Sequence, residues 1–152
     1  MTKRKRPTTL PLGEISSGTL QPEDVVPELL CLADAVRMSR EDRRRIQKLS
    51  VGWDAMEDEQ EHASEVWDDV LDILDTYAPP YCYVGSLVGD GACFGVWVDS
   101  EGVEQARRYG DVWEDPDDGS RMPTDADYRL VVSDHGNMSL YSRSGRELWG
   151  IV

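Results

Sequence analysis

Between Asp54 and Asp75 the chain carries ten carboxylates and no lysine or arginine, while apolar residues keep a helical beat through the same stretch. Ala63, Val66, Trp67, Val70, Leu71, Leu74 and Tyr77 recur at three- and four-residue spacing. Asp58, Glu61, Glu65, Asp68, Asp72 and Asp75 recur at the same spacing, out of phase with them. This double periodicity predicts a helix over about 56–77 with one buried face and one anionic face. Carboxylates three and four residues apart repel by roughly a few tenths of a kcal/mol per pair, so packing of the Trp67 face must hold such a helix together. Ala78-Pro79-Pro80 ends it, because proline neither continues a helix nor lets its predecessor do so.

Upstream, Pro22 with Glu23 and Asp24 suits a helix start. Val25, Val26, Leu29, Leu32, Ala33 and Val36 extend one stripe to about residue 38. Ser39 with Asp42 marks a cap for a second helix to about Leu49, which carries Arg40, Arg43, Arg44, Arg45 and Lys48 and is expected to pair with the acidic helix. Residues 1–21 hold Lys3-Arg4-Lys5-Arg6, two prolines, two glycines and few apolar residues, and read as a disordered basic arm.

After residue 80 the period changes to two. Strands are expected from Tyr81, over Ala92–Val98, Tyr128–Ser133, Asn137–Ser142 and Glu147–Val152, with turns at Gly89-Asp90-Gly91, Asp134-His135-Gly136-Asn137 and Arg143-Ser144-Gly145-Arg146. Gly102–Tyr109 reads as a short helix and 110–127 as an acidic loop. The fold class is therefore α+β, with N-terminal helices packed on a C-terminal antiparallel sheet of about five strands. Residues 22–152 are expected to form one domain, helical over 22–77 and sheet over 81–152.

The chain has 152 residues and a formal charge of −14, distributed unevenly: residues 1–50 carry +3 and residues 51–152 carry −17. Such a body repels DNA phosphates and attracts basic surfaces. No apolar run is long enough to span a bilayer, and no apolar stretch follows the basic N-terminus as a secretion signal requires. Cys31, Cys82 and Cys93 are odd in number and widely spaced, which points to a reducing compartment, with buried thiols as their expected role. His62 and His135 lack zinc-ligand spacing, so no metal and no cofactor is expected. The phosphate-loop pattern is absent, and the aspartates of 115–127 depart from the EF-hand spacing, leaving at most an opportunistic divalent site.

The string Tyr81-Cys82-Tyr83-Val84-Gly85 … Gly89-Asp90-Gly91-Ala92-Cys93-Phe94-Gly95-Val96-Trp97, with Val132-Ser133-Asp134-His135-Gly136-Asn137 … Leu140-Tyr141 … Glu147-Leu148-Trp149, resembles a family of small uncharacterised phage and mobile-element proteins. The resemblance covers residues 77–152. It implies an accessory gene, a setting in which acidic proteins of this size act as anti-restriction or anti-CRISPR inhibitors, and it implies no catalytic residues.

Carboxylates repeating every ~5.4 Å along a helix form a negative row comparable to the phosphates of a DNA strand. The expectation is a non-enzymatic, cytoplasmic, DNA-mimic-like inhibitor. It would occlude a basic nucleic-acid-binding host protein through Asp58, Glu61, Glu65, Asp68, Asp72 and Asp75, and through Asp115, Asp117 and Asp118 in the loop. Trp53 and Trp113 would be rim anchors. No direct nucleic-acid or membrane binding is expected, and the helical face is also a candidate homodimer surface. The alternative is a small-ligand or hydrolytic module with Tyr81, Tyr83, Trp97, His135 and Tyr141 around a pocket, including a Cys82 or Cys93 thiol paired with His135.

Overall fold

The computed structural model describes residues 5–56 and 59–152, the side chains of residues 59–61 excepted. It has the expected mixture of helix and strand, in two compact units: Met1–Ala78 with Cys82–Val98, and Pro79–Tyr81 with Asp99–Val152. The chain thus does not divide into helices before residue 77 and sheet after 81. The first hairpin belongs with the helices, and the strands form two sheets.

The first unit contains β1 (Gly13–Ser16), α1 (Pro22–Ala33), α2 (Arg40–Asp54), α3 (Glu59–Asp75), β2 (Cys82–Leu87) and β3 (Asp90–Val98). Its antiparallel sheet has the order β1-β3-β2. Leu10, Val26, Leu29, Val36, Val70, Leu74, Phe94 and Val96 lie at the centre of its core. Burying each such side chain stabilises the fold by about 1.5–3 kcal/mol.

Part of the expected disordered arm is ordered. Gly13 pairs with Val96 and Glu14 with Gly95, Leu10 is buried in the core, and its N–H donates to the Tyr77 carbonyl at 2.9 Å. The anchors are buried Leu10 with Leu12 and Ile15 packed partly buried against the core, three apolar residues whose weight a compositional reading of 1–21 overlooks. Gly95 makes the pairing possible: a Cβ there would stand 2.2 Å from the Gly13 carbonyl oxygen.

Helix α1 stops at Ala33, three residues before Val36, the last of its apolar stripe. The Arg43 guanidinium reaches back from α2 and donates to the carbonyls of Ala33 and Val36 at 3.0 and 2.9 Å, taking up acceptors that a longer helix would satisfy itself. Val36 remains fully buried although it lies outside the helix. Ser39 caps α2, its hydroxyl accepting the Asp42 N–H at 3.1 Å. The helix runs five residues past Leu49 because Leu49 and Trp53 both lie half-buried against the core. Trp53 is therefore a packing residue and not an exposed rim anchor.

The second unit holds α4 (Ser100–Tyr109), β4 (Val112–Glu114), β5 (Tyr128–Val132), β6 (Met138–Ser142) and β7 (Glu147–Ile151). Its sheet has the order β4-β5-β6-β7, with β4 parallel to β5 and the other pairs antiparallel. Asp99 caps α4 by accepting the Gly102 N–H, and Gly110 closes it in the left-handed conformation. Buried Val103, Ala106, Val112, Leu130, Leu140 and Trp149 form the interior, and the Trp149 indole donates to the Pro80 carbonyl at 2.8 Å. The two hairpins share one chemistry. Ser133 and Ser142 each accept, through the hydroxyl, the N–H four residues on, and Gly136 and Gly145 take positive φ.

Candidate partner-binding surface

The buried side of α3 is Ala63, Val66, Val70, Ile73 and Leu74. Trp67 and Leu71 are half-buried beside it, and the Trp67 ring meets Phe94 edge to face at 5.4 Å. Glu65, Asp68, Asp69, Asp72 and Asp75 occupy the opposite side and are exposed. At about 3.6 residues per turn, their positions fall within roughly a third of the helix circumference. From Glu65 to Asp75 the row is about 15 Å long at ~1.5 Å per residue. Glu61 belongs to the same helix, though its side chain is not described, and Asp58 lies outside the described residues.

Among the described residues, no lysine or arginine comes within 4.0 Å of the carboxylates of Glu65, Asp68, Asp69, Asp72 or Asp75. Among the described residues, the expected pairing of α2 with α3 is not made through charge. Arg43 pairs with Asp34 and Arg45 with Asp42, and the α2–α3 connection is made by Tyr77 instead. Among the described residues, Glu65 lies 3.6 Å from His62 Nδ1, with both groups exposed. Asp75 differs from the rest, since its Oδ1 accepts the Val84 N–H at 3.0 Å and so fixes the start of β2.

The loop acids of the second unit have internal duties. Asp115 is bound by the Arg129 guanidinium at 2.8 Å and accepts the Asp117 N–H; its side chain is only 17% exposed. The Asp117 N–H, and then Arg129, hold its carboxyl below the usual range. Asp118 is lowered by the hydroxyl and then the N–H of Ser120. Asp117 is exposed and takes a positive φ of 55°. Among the described residues, no three His, Cys, Asp or Glu side chains are grouped to hold a metal ion.

The residues of the alternative constellation divide between the two units. Tyr83 and Trp97 are cross-strand partners in the first unit, with Tyr83 Oη donating to the Ser86 carbonyl and Trp97 Nε1 to that of Gly85. In the second unit Tyr81 stacks edge-on to Tyr128, Tyr141 lies beneath Arg129, and His135 is exposed at a hairpin tip. No cysteine is fully buried: Cys31 is exposed, and Cys82 and Cys93 are half-buried. Burial, then Glu14, pushes the Cys93 thiol up, opposite to what a nucleophile needs.

The second unit also has a cleft of about 410 Å³ lined by Glu104, Arg107, Trp113, Glu114 and Asp125, in which Arg107 bridges Glu104 and Glu114. Trp113 is half-buried there. Sequence reading missed this cleft because β4, three residues inside an acidic stretch, left no periodic signal. Among the described residues, no helix is long and apolar enough to cross a membrane. No protein-family model, no curated protein and no solved structure matches the chain.

Proposed function

We propose that this protein is an acidic inhibitor that binds a basic, nucleic-acid-binding protein of a host cell and covers the surface that protein uses for nucleic acid. The observation that carries the reading is the exposed α3 row, whose carboxylates have no lysine or arginine partner among the described residues. Like charges on adjacent turns cost stability, and solvated helix faces ordinarily mix signs. A surface that keeps such a cost in a fixed geometry is suited to a cationic groove.

Within the row, Glu65, Asp68 and Asp72 are the contact residues, with Asp58 and Glu61 extending it along the sequence. Asp115 and Asp118 shape their loop, leaving Asp117 as its outward charge. The resemblance of residues 77–152 to phage and mobile-element proteins supports an anti-defence role, restriction or CRISPR, acting in the host cytoplasm.

The test is capture of host nucleases and other DNA-binding proteins on the immobilised chain, compared with the variant Glu65→Lys/Asp68→Lys/Asp72→Lys at low and high salt. Charge-led binding weakens with ionic strength and is lost in the variant. Equal capture by both chains, or capture insensitive to salt, contradicts the reading.

A further inference from the structure

The first unit also carries a charged feature of opposite sign. A cleft of about 340 Å³ at the start of α2 is lined by Arg6, Arg37, Arg40, Arg43 and Arg44 together with Ser39. Arg40, Arg43 and Arg44 share one side of the helix through three- and four-residue spacing. The Arg37 N–H donates to the Pro7 carbonyl at 2.8 Å, which ties the segment bearing Arg6 to the same place. Arg43 is engaged internally by Asp34 and by the carbonyls of Ala33 and Val36. Arg6, Arg37, Arg40 and Arg44 have no carboxylate within 4.0 Å among the described residues.

Four guanidinium groups around one cleft repel one another. In a chain with 30 acidic and 16 basic residues, internal pairing is the easier arrangement, and the cleft of the second unit adopts it at Arg107. The arginine cleft is instead set for an anion from outside. Guanidinium forks grip oxyanions two donors at a time. Among the described residues no aromatic ring lines the cleft, and the donors it offers are guanidinium groups, which grip phosphoryl oxygens whatever group the phosphate carries. A long polyanion would run on over a protein of net charge −14, whereas a compact one need not.

We infer that the Arg6, Arg37, Arg40 and Arg44 cleft binds a compact phosphoryl-rich anion, a free polyphosphate or the phosphate tail of a nucleotide, without reading a base. The inference does not depend on the role of α3.

Calorimetric titration of the full chain with inorganic tripolyphosphate, with adenosine triphosphate and with a short single-stranded DNA tests it. Tripolyphosphate should bind one to one, and Arg40→Ala/Arg44→Ala should weaken it about tenfold or more, with unchanged circular dichroism. Arg107→Ala should leave it unchanged. Adenosine triphosphate binding within about threefold of tripolyphosphate, or weaker than it, supports recognition by phosphate without a base, and binding more than about threefold tighter overturns it. No tripolyphosphate binding by the folded protein, binding that survives the double substitution, or tighter binding of the DNA each overturns the inference.

Discussion

Tyr77 donates its phenolic hydroxyl to Asp42 Oδ2 at 2.5 Å, and the Tyr77 Oη itself accepts the Ser39 N–H at 3.1 Å. The turn after α3 is thereby tied to the cap of α2. The Tyr77 bond is the largest cause of Asp42 ionising below its usual range, with burial opposing it and Ser39 and Arg45 adding to it. A depressed folded-state pKa gives stability that is complete above the unfolded value of 3.8 and lost as pH falls through the folded one. Tyr77→Phe should cost about 1 kcal/mol at neutral pH, since Asp42 is partly exposed. The gap to the parent chain should close in acid. Urea denaturation in steps down to about pH 2 measures it, and a gap that stays constant contradicts the assignment.

The α3 row should be a burden on the fold. Asp72 has Asp68, Asp69 and Asp75 at helical neighbour positions. Asp72→Asn should therefore stabilise the chain by roughly 0.5–1 kcal/mol at low salt, and by less at high salt. Chemical denaturation at two ionic strengths reads both values. Destabilisation would mean that Asp72 has a structural partner.

Asp75 should behave in the opposite way. Asp75→Ala leaves the N–H of buried Val84 without its acceptor, at a cost of about 1–2 kcal/mol. Hydrogen exchange at Val84 should accelerate. Unchanged protection there would show that the bond does not hold β2.

The N-terminal strand depends on Gly95. With a Cβ at 2.2 Å from the Gly13 carbonyl oxygen, Gly95→Ala must displace β1, at a cost of about 3 kcal/mol. Limited proteolysis should then cut within 13–18, while Gly91→Ala, where a Cβ meets nothing within 4 Å, leaves the segment protected. Equal protection in both variants would contradict the close approach.

Much of this architecture can be read from residue order. The α3 period, the Ser39 cap and the five main strands follow from apolar spacing and turn chemistry. Helix ends are less legible, because α1 stops where Arg43, ten residues away, takes its last carbonyl, that of Ala33. Strand β1 is not legible because its few anchors, Leu10, Leu12 and Ile15, show no clear period and its fit depends on a glycine in β3. Strand β4 escaped because three residues show no period. The acidic row was visible as spacing, but its lack of basic neighbours was not: α2 offers five cations in sequence, and only geometry shows that none of them pairs with the α3 carboxylates described.

The most direct measurement is DNA displacement. A host DNA-binding protein identified by that capture is purified free of the chain and loaded with a labelled duplex, and the chain is then titrated in at two salt concentrations. The parent chain should release the duplex, with a potency that falls as salt rises, and Glu65→Lys/Asp68→Lys/Asp72→Lys should not release it. Release by that variant as effective as by the parent would contradict the assignment of the α3 row.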